Sequence, residues 1–219
     1  MANRIVGIRG VLLDIDGTLL DSNDAHAHSW VEVFQRHGFD IPFERVRPLI
    51  GKGGDKLLPE LTGIDAQSRR GKELSDERST LFLETYLPRL TPTRGARALL
   101  DRLKAKGLKL VIATSSNEKE LKALLRQAGV ADLIGRATSS DDGASKPDPD
   151  IVRAALAEGG LAPDQAIMVG DTPYDVEAAG RAGVRTIALR CGGWWDDAAL
   201  SGAIAIYDDP AALAADLEG

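Results

Sequence analysis

Short apolar runs alternate with helical patterns over most of the chain. Four nearly continuous apolar runs predict strands that are buried on both faces, at residues 10–14, 108–113, 166–169 and 184–189. Between them, apolar residues recur at spacings typical of amphipathic helices, as in residues 92–106 and 117–128. Strands that alternate with helices predict parallel pairing. We therefore expect an α/β fold built in layers around a mostly parallel sheet.

Residues 22–90, here called the insert, interrupt this alternation. The helical spacing at residues 25–37, 56–61 and 75–87 predicts one helix after another without an intervening strand. The residues outside the insert are enough for a domain of common size. We therefore predict two domains, an α/β core of residues 1–21 and 91–219 and a helical domain of residues 22–90.

The charge balance and the single cysteine narrow the class of protein. Asp and Glu number 33 against 27 Lys and Arg, which argues against the clustered positive charge that nucleic-acid binding requires. No apolar run approaches the ~18 residues of a membrane span. Cys191 has no partner for a disulfide within the chain, which favours the reducing cytoplasm. We expect a cytoplasmic enzyme that acts on a small molecule without nucleic acid or membrane, as a monomer or weak homodimer.

Two carboxylates stand at the end of the first predicted strand. Asp14 and Asp16 belong to the segment DIDGT, and ligands of open parallel sheets bind at the carboxyl ends of strands. Side chains two residues apart in extended chain point the same way, so we expect both to face one pocket and to repel unless a cation lies between them. Mg²⁺ prefers such oxygen ligands. The alternative is an Asp-Gly hairpin turn, although a strand buried on both faces is an unusual hairpin arm.

Hydroxyl groups and a lysine follow later in the chain. Thr114 and Ser115 come after the second strand and just before a helix, where free amide groups favour an anion, although simple helix capping is the alternative. Lys146 precedes a proline that disfavours a helical conformation at the lysine, and an ordinary solvated lysine is the alternative. Asp148 is expected to cap the next helix.

A further acid ends the third strand. Asp171 stands before a predicted helix cap, at a position where a carboxylate has no structural role. Thr172 and Asp175 form a possible capping box around a proline, which would explain Asp175 without any function. Together with Asp14 and Asp16, these residues place the groups that a phosphoryl site requires at the ends of successive strands.

These motifs resemble those of the haloacid dehalogenase-like hydrolases, in the branch that includes phosphoglycolate phosphatase and β-phosphoglucomutase. Four family motifs occur in order: DIDGT at Asp14, the strand ending in Thr114, Lys146 before a proline, and GDTPYD at Asp171. The resemblance covers about residues 12–189. It implies a Rossmann-like three-layer core and an inserted helical cap domain, formed here by the insert.

The resemblance also implies a Mg²⁺-dependent phosphatase that acts on a small phosphorylated metabolite. Asp14 would attack phosphorus and form an aspartyl phosphate, while Asp16 would protonate the leaving oxygen and later activate water. Mg²⁺ would be held by Asp14, the backbone carbonyl of Asp16, and Asp171. The transferring oxygens would be bound by Thr114, Ser115 and Lys146. Asp175 would act indirectly, as a partner of Lys146. An acid at position 16 favours a phosphatase over a dehalogenase, because an alkoxide needs a proton to leave.

Two residues of the insert are candidates for substrate contact. His26 resembles a residue of sugar-phosphate-acting relatives that would position Asp16 or the substrate, and a surface histidine is an equal alternative. Lys52 lies in a glycine-rich loop that would reach over the site, and a solvated lysine is its alternative. The arginine that phosphosugar mutases carry in this loop is absent. We therefore favour hydrolysis of a phosphoglycolate-like or sugar-phosphate-like ester over a β-phosphoglucomutase type of reaction, or over a non-catalytic binding protein.

Overall fold

A parallel six-stranded sheet forms the centre of the molecule. The computed structural model describes residues 7–140 and 143–217. In these ranges the strands are β1 Gly10–Leu13, β2 Lys109–Ala113, β3 Arg136–Thr138, β4 Ala166–Gly170, β5 Arg185–Leu189 and β6 Ala205–Tyr207. Their order in the sheet is β3-β2-β1-β4-β5-β6, with every neighbouring pair parallel. The predicted α/β fold with a mostly parallel sheet is confirmed.

Helices supply the rest of the regular structure in the described residues. Those in the insert are α1 Asn23–Arg36, α2 Phe43–Val46, α3 Gly54–Thr62 and α4 Arg69–Leu81. Those outside it are α5 Ala96–Ala105, α6 Glu118–Gln127, α7 Asp150–Gly159, α8 Pro173–Arg181 and α9 Pro210–Asp216. A π-helical turn, Phe82–Tyr86, follows α4 directly. None of the described helices combines the length and apolarity needed to cross a membrane.

Both faces of the sheet are covered, as the continuous apolar strands predict. Val11 and Leu13 of β1 pack into one buried cluster with the leucines of α5, α6 and α9. Leu12, between them, points to the opposite face and packs with α7 and α8. Side chains alternate across a strand, so a strand with helices on both sides must be apolar at every position. The Rossmann-like three-layer core follows from this arrangement.

The insert buries an apolar cluster of its own. Trp30, Phe34, Leu57 and Leu74 belong to a cluster whose members all lie between residues 27 and 81. Phe82, the next buried residue, packs instead with the sheet-side cluster. The two chain segments that lead into and out of the insert lie side by side, since the Asp21 amide donates to the Thr91 carbonyl at 3.1 Å.

The structure differs from the sequence prediction in two local respects. Strands β3 and β6 were not predicted, because each has three residues and lies at an edge of the sheet. Asp148 does not cap α7, which begins at Asp150 with Pro149 in the cap position. The Asp148 carboxylate instead pairs with Lys56 of the insert, at 2.6 Å.

Candidate active site

The candidate site lies where three central strands end. Leu13, the last residue of β1, pairs with Ile112 of β2 on one side and with Val169 of β4 on the other. Parallel strands in register bring their carboxyl ends to one edge of the sheet. Asp14 therefore follows β1 between the residues that follow β2 and β4, which are Thr114 and Asp171.

Lys146 lies between two carboxylates beneath this edge. Its Nζ atom is 2.6 Å from Oδ1 of Asp14 and 2.6 Å from Oδ1 of Asp175, and all three side chains are buried. Burial alone would lower the pKa of Lys146, but the two carboxylates raise it above its ordinary value. Lys146 therefore remains a cation at neutral pH. It is not the solvated lysine of the alternative interpretation, because the residue is 1% exposed.

Asp175 has both a capping and an electrostatic role. Its Oδ2 accepts hydrogen bonds from the amide and hydroxyl of Thr172, at 3.0 and 2.7 Å, which confirms the predicted capping box at the start of α8. Its Oδ1 faces Lys146. Asp175 thus fixes Lys146 relative to α8. The same carboxylate serves both as part of the helix cap and as the partner of the lysine.

The end of β1 is rich in negative charge. Carboxylate oxygens of Asp14, Asp171 and Asp175 all lie within 4.8 Å of one another. Burial, reinforced by Asp175, raises the pKa of Asp171 to about 7. Burial also raises the pKa of Asp14 well above its usual range, despite Lys146. Three buried carboxylates with one lysine are short of positive charge, and carboxylate oxygens are hard ligands, so the residues present fit Mg²⁺.

Asp171 is held in place by neutral donors. Asn23 Nδ2 donates to its Oδ2 at 2.8 Å, and Thr18 Oγ1 donates to its Oδ1 at 3.2 Å. The approach is close enough that a Cβ on Gly17 would lie 2.2 Å from Asp171 Oδ2. Gly17 also has a φ of +75°, a conformation that side chains rarely adopt. The glycine of DIDGT is therefore required both by the turn and by the neighbouring carboxylate.

Asp16 lies in a different environment from Asp14. Its carboxylate accepts hydrogen bonds from Ser22 Oγ at 2.6 Å and Ser116 Oγ at 3.0 Å, and His26 Nε2 lies 2.7 Å away. Burial alone would raise the pKa of Asp16, but His26 and the two hydroxyls hold it well below its ordinary value.

Asp14 and Asp16 share a cavity but have different neighbours. Both line one cavity, as their spacing predicts. The Asp16 carboxylate, however, stands outside the cluster of three carboxylates described above.

His26 is buried at the junction of the insert and the core. It is 3% exposed, and its ring stacks on Phe82 with centroids 3.9 Å apart. Its Nδ1 contacts the guanidinium of Arg78, which in turn donates to both carboxylate oxygens of Glu120, at 2.7 and 2.9 Å. A chain of polar contacts thus runs from Asp16 through His26 and Arg78 to Glu120. His26 is not the surface histidine of the alternative interpretation.

The sequence analysis did not single out Arg78 or Glu120. Arg78 lies between Leu74 and Phe82 at helical spacing, so a charge on an apolar face was a usable signal. Glu120 stands three residues after Asn117, a spacing typical of a capping box. Asn117 Oδ1 accepts the Glu120 amide at 2.9 Å and Asn117 Nδ2 donates to the Glu120 carboxylate at 3.2 Å, while the same carboxylate also pairs with Arg78 of the insert.

A cavity of about 490 Å³ opens above Asp14, within the range of small-molecule sites. The core lines it with Asp14, Asp16, Thr114, Ser115, Ser116 and Glu120, and the insert with His26, Trp30, Lys52, Asp55 and Arg78. Ser115 Oγ also accepts the Lys146 amide at 3.3 Å. Lys52 Nζ pairs with Glu60 at 2.6 Å and lies 5.2 Å from the ring centroid of Tyr174. The structure therefore brings every predicted site residue to this cavity or directly beneath it.

The comparison with family models decides the classification. The model of the haloacid dehalogenase-like hydrolases matches residues 11–189. The chain belongs to this family. The predicted family membership is confirmed, and with it the prediction that the protein is an enzyme of the hydrolase class.

Individual relatives of this haloacid dehalogenase-like hydrolase agree with that result. The chain is 32% identical over 215 residues to the phosphoglycolate phosphatase of Rhodospirillum rubrum, covering 94% of this chain and 89% of that protein. It is 32% identical over 189 residues to the pyrophosphatase PpaX of Bacillus velezensis, covering 83% of each. The solved structure of a hydrolase from Pseudomonas syringae superposes with a TM-score of 0.87 at 27% identity, covering 95% of this chain and 97% of that one.

Proposed function

We propose that this hydrolase is a Mg²⁺-dependent phosphatase that cleaves a small phosphomonoester through an aspartyl phosphate on Asp14. One observation carries the proposal: the Asp14 carboxylate lines the cavity while a buried lysine contacts it from beneath at 2.6 Å. The relatives support phosphate chemistry, because phosphoglycolate phosphatase and pyrophosphatase are both enzymes that release phosphate from small molecules.

In the first step, an Asp14 oxygen forms a bond to phosphorus while the bond from phosphorus to the ester oxygen breaks. The departing oxygen takes a proton from Asp16, which lines the same cavity. Asp16 is ionised in the structure, because its pKa is lowered. The negative charge of an incoming phosphate raises the pKa of a neighbouring carboxyl group, and so favours the protonated form that this step needs.

In the second step, water attacks the phosphorus of the aspartyl phosphate. Asp16, now ionised, accepts a proton from that water, and phosphate leaves with restoration of the Asp14 carboxylate. Lys146 and the hydroxyl groups of Thr114 and Ser115 stabilise the phosphate oxygens through their charge and hydrogen bonds. Asp175 keeps Lys146 in position.

Asp14, Asp171 and the backbone carbonyl of Asp16 would hold the magnesium ion. When bound, the ion supplies positive charge that offsets the phosphate and lets an anionic nucleophile approach. The raised pKa values of Asp14 and Asp171 are the support for this assignment, since they show a shortage of positive charge at that point.

The insert, in this proposal, is a cap domain of residues 22–90 on a catalytic core of residues 1–21 and 91–219. Its separate apolar cluster and the adjacent entry and exit segments support the division. Because the insert lines one wall of the cavity, it would exclude bulk water during the reaction. A cavity of about 490 Å³ favours a small phosphorylated metabolite over a protein substrate.

Hydrolysis of p-nitrophenyl phosphate with and without Mg²⁺ tests the proposal. We expect release of p-nitrophenol that depends on Mg²⁺ and falls by at least about 10⁴-fold in Asp14→Asn. Asp101→Asn, an exposed change on α5, is the matched control and should retain activity.

Turnover that is indifferent to both Mg²⁺ and Asp14 would refute the mechanism, and absence of all turnover would favour a binding protein. Accumulation of an isomeric sugar phosphate without release of phosphate would favour the mutase.

A further inference from the structure

Arg78 lies on the cavity wall close to the expected position of the leaving group. Its guanidinium contacts the ring of His26, whose other nitrogen contacts Asp16. Asp16 is the residue that would protonate the ester oxygen, so the rest of the leaving group extends along the wall formed by His26 and Arg78. A free guanidinium at this point would be a natural partner for a carboxylate on the substrate.

The guanidinium of Arg78 is not free. Its Nη1 donates to both oxygens of Glu120, its Nε donates to Ser29 Oγ at 3.2 Å, and its Nη2 contacts His26. Each of its three nitrogens therefore already has a partner within the protein. An incoming carboxylate would compete with these partners, and above all with Glu120, for the guanidinium.

The burial of Glu120 makes its displacement unfavourable. The residue is 1% exposed, and although burial alone would raise its pKa, Arg78 holds the pKa below its ordinary value. Glu120 is thus an anion at neutral pH, and it lines the same cavity as Arg78. Separating this buried carboxylate from the arginine that contacts both of its oxygens would leave its charge without a nearby cation, which is costly.

The other charged groups on the insert side of the cavity do not offer a carboxylate a better partner than Arg78. Lys52 is paired with Glu60, Lys72 lies exposed at the rim, and the acids Asp55 and Asp76 also line the cavity. We propose that the Arg78–Glu120 pair makes this enzyme select phosphate esters of neutral polyols over phosphate esters that carry a carboxylate. This inference rests on the proposed phosphatase function and assigns its substrate class.

Two substrate pairs that differ only in the critical group provide the test. Glycerol 3-phosphate and 3-phosphoglycerate differ by a hydroxymethyl group in place of a carboxylate, as do 2-hydroxyethyl phosphate and 2-phosphoglycolate. We expect kcat/KM to favour the neutral member of each pair by about tenfold or more, the size of one unfavourable charge contact. A preference for the carboxylate-bearing members would overturn the inference.

The Glu120→Gln variant tests the assigned residues directly. It removes the negative charge and leaves Arg78 in place, so the preference should fall by about tenfold, chiefly through a lower KM for the carboxylate-bearing substrates. Glu118→Gln, which changes an exposed glutamate on the same helix and outside the cavity, should keep the wild-type ratio. An unchanged ratio in a folded Glu120→Gln protein would overturn the inference. If the Glu120→Gln protein does not fold, the wild-type ratio of kcat/KM for neutral over carboxylate-bearing substrates decides whether the inference stands.

The outcomes separate this inference from the proposed function. If p-nitrophenyl phosphate is hydrolysed with Mg²⁺ but 3-phosphoglycerate is the better substrate, the phosphatase stands and the assigned substrate class fails. If neither p-nitrophenyl phosphate nor any member of the two pairs is hydrolysed, the proposed function itself fails.

Discussion

The two halves of the site handle buried charge in opposite ways. The core half, at the end of β1, comprises Asp14, Lys146, Asp171 and Asp175. The insert half comprises Asp16, His26, Arg78 and Glu120. In the core half, three carboxylates share one lysine, and the pKa values of Asp14 and Asp171 are raised. In the insert half, each carboxylate has its own basic partner, and the pKa values of Asp16 and Glu120 are lowered.

Burial is common to both halves, so the neighbouring charges and hydrogen-bond donors decide the direction in which each pKa shifts. The core half has one lysine for three carboxylates and is therefore suited to a divalent cation, whose added charge would then favour a phosphate. In the insert half, hydrogen-bond donors and one guanidinium already satisfy both carboxylates, which suits this half to hold the proton-transfer residue and to face an uncharged leaving group.

Replacing Lys146 should have the largest effect, because it removes the one cation of the core half. We expect Lys146→Met to lower kcat/KM by about 10³-fold, as expected for loss of a principal electrostatic contact to the phosphate. The free energy of unfolding should also fall by about 3–5 kcal/mol, because buried carboxylates lose their partner. Urea unfolding with and without Mg²⁺ measures this, and Mg²⁺ should recover part of the loss. The exposed Lys122→Met variant is the control. A Lys146→Met protein as stable as the wild type would contradict the account of the core half.

Replacing His26 should have a smaller effect that appears in the pH profile. His26→Ala should lower kcat by about tenfold to a hundredfold, as loss of a residue that positions a reacting group typically does. Because His26 lowers the pKa of Asp16, the acidic limb of the kcat profile should move to higher pH. His26→Gln, which can still donate a hydrogen bond, should recover part of the rate. The matched control is His28→Ala, whose ring stacks on Phe43 away from Asp16. A uniform loss of kcat without a shift of the limb would mean that His26 acts only through packing.

The raised pKa of Asp171 predicts how stability and metal binding vary with pH. Between its ordinary value of 3.8 and about 7, folded Asp171 holds a proton that the unfolded chain has lost. The metal-free protein should therefore become less stable as pH rises through this window. Mg²⁺ must displace that proton, so its affinity should rise by about tenfold per pH unit below pH 7 and then level off.

Melting temperatures measured with EDTA and with Mg²⁺ across this pH range test the prediction. The stabilisation by Mg²⁺ should grow with pH in the wild type. In Asp171→Asn, it should be small at every pH. If Mg²⁺ raised the melting temperature by the same amount below and above pH 7, Asp171 would not exchange a proton for the ion.

Lys52 should have the smallest effect of the residues singled out. Its ammonium group already pairs with Glu60 and lies over Tyr174. Partly exposed ion pairs contribute little energy, so Lys52→Ala should change kcat/KM by less than about threefold. Steady-state kinetics with p-nitrophenyl phosphate and with glycerol 3-phosphate measure this. A rise in KM of tenfold or more would instead place the ammonium group on the substrate.

The three carboxylates of the core half could be predicted from sequence because each lies next to a pattern that fixes its position. Asp14 and Asp171 directly follow apolar strands, and parallel pairing brings strand ends together whatever the details of the loops. Asp175 follows from the capping box of α8. In each case local chain geometry and sheet topology suffice.

The insert half could not be predicted in the same way. Arg78 and Glu120 are 42 residues apart and meet only because α4 packs over the start of α6. The position of Arg78 on an apolar helix face marks it as unusual but does not identify its partner, which is decided by the docking of the insert. The hydrogen-bond partners of Asp16 could not be predicted as a set for the same reason, since Ser22, His26 and Ser116 converge on it only in the folded protein.

Trapping of the phosphorylated enzyme tests the central claim most directly. The wild-type protein is mixed with substrate and Mg²⁺, quenched in acid during turnover, reduced with borohydride and digested, and the peptides are sequenced by mass spectrometry. Borohydride converts an aspartyl phosphate to the corresponding alcohol. The account predicts this conversion at residue 14, with Asp16 unmodified in the same peptide and no conversion when substrate is omitted. Conversion at Asp16, or turnover with no conversion at either residue, would contradict it.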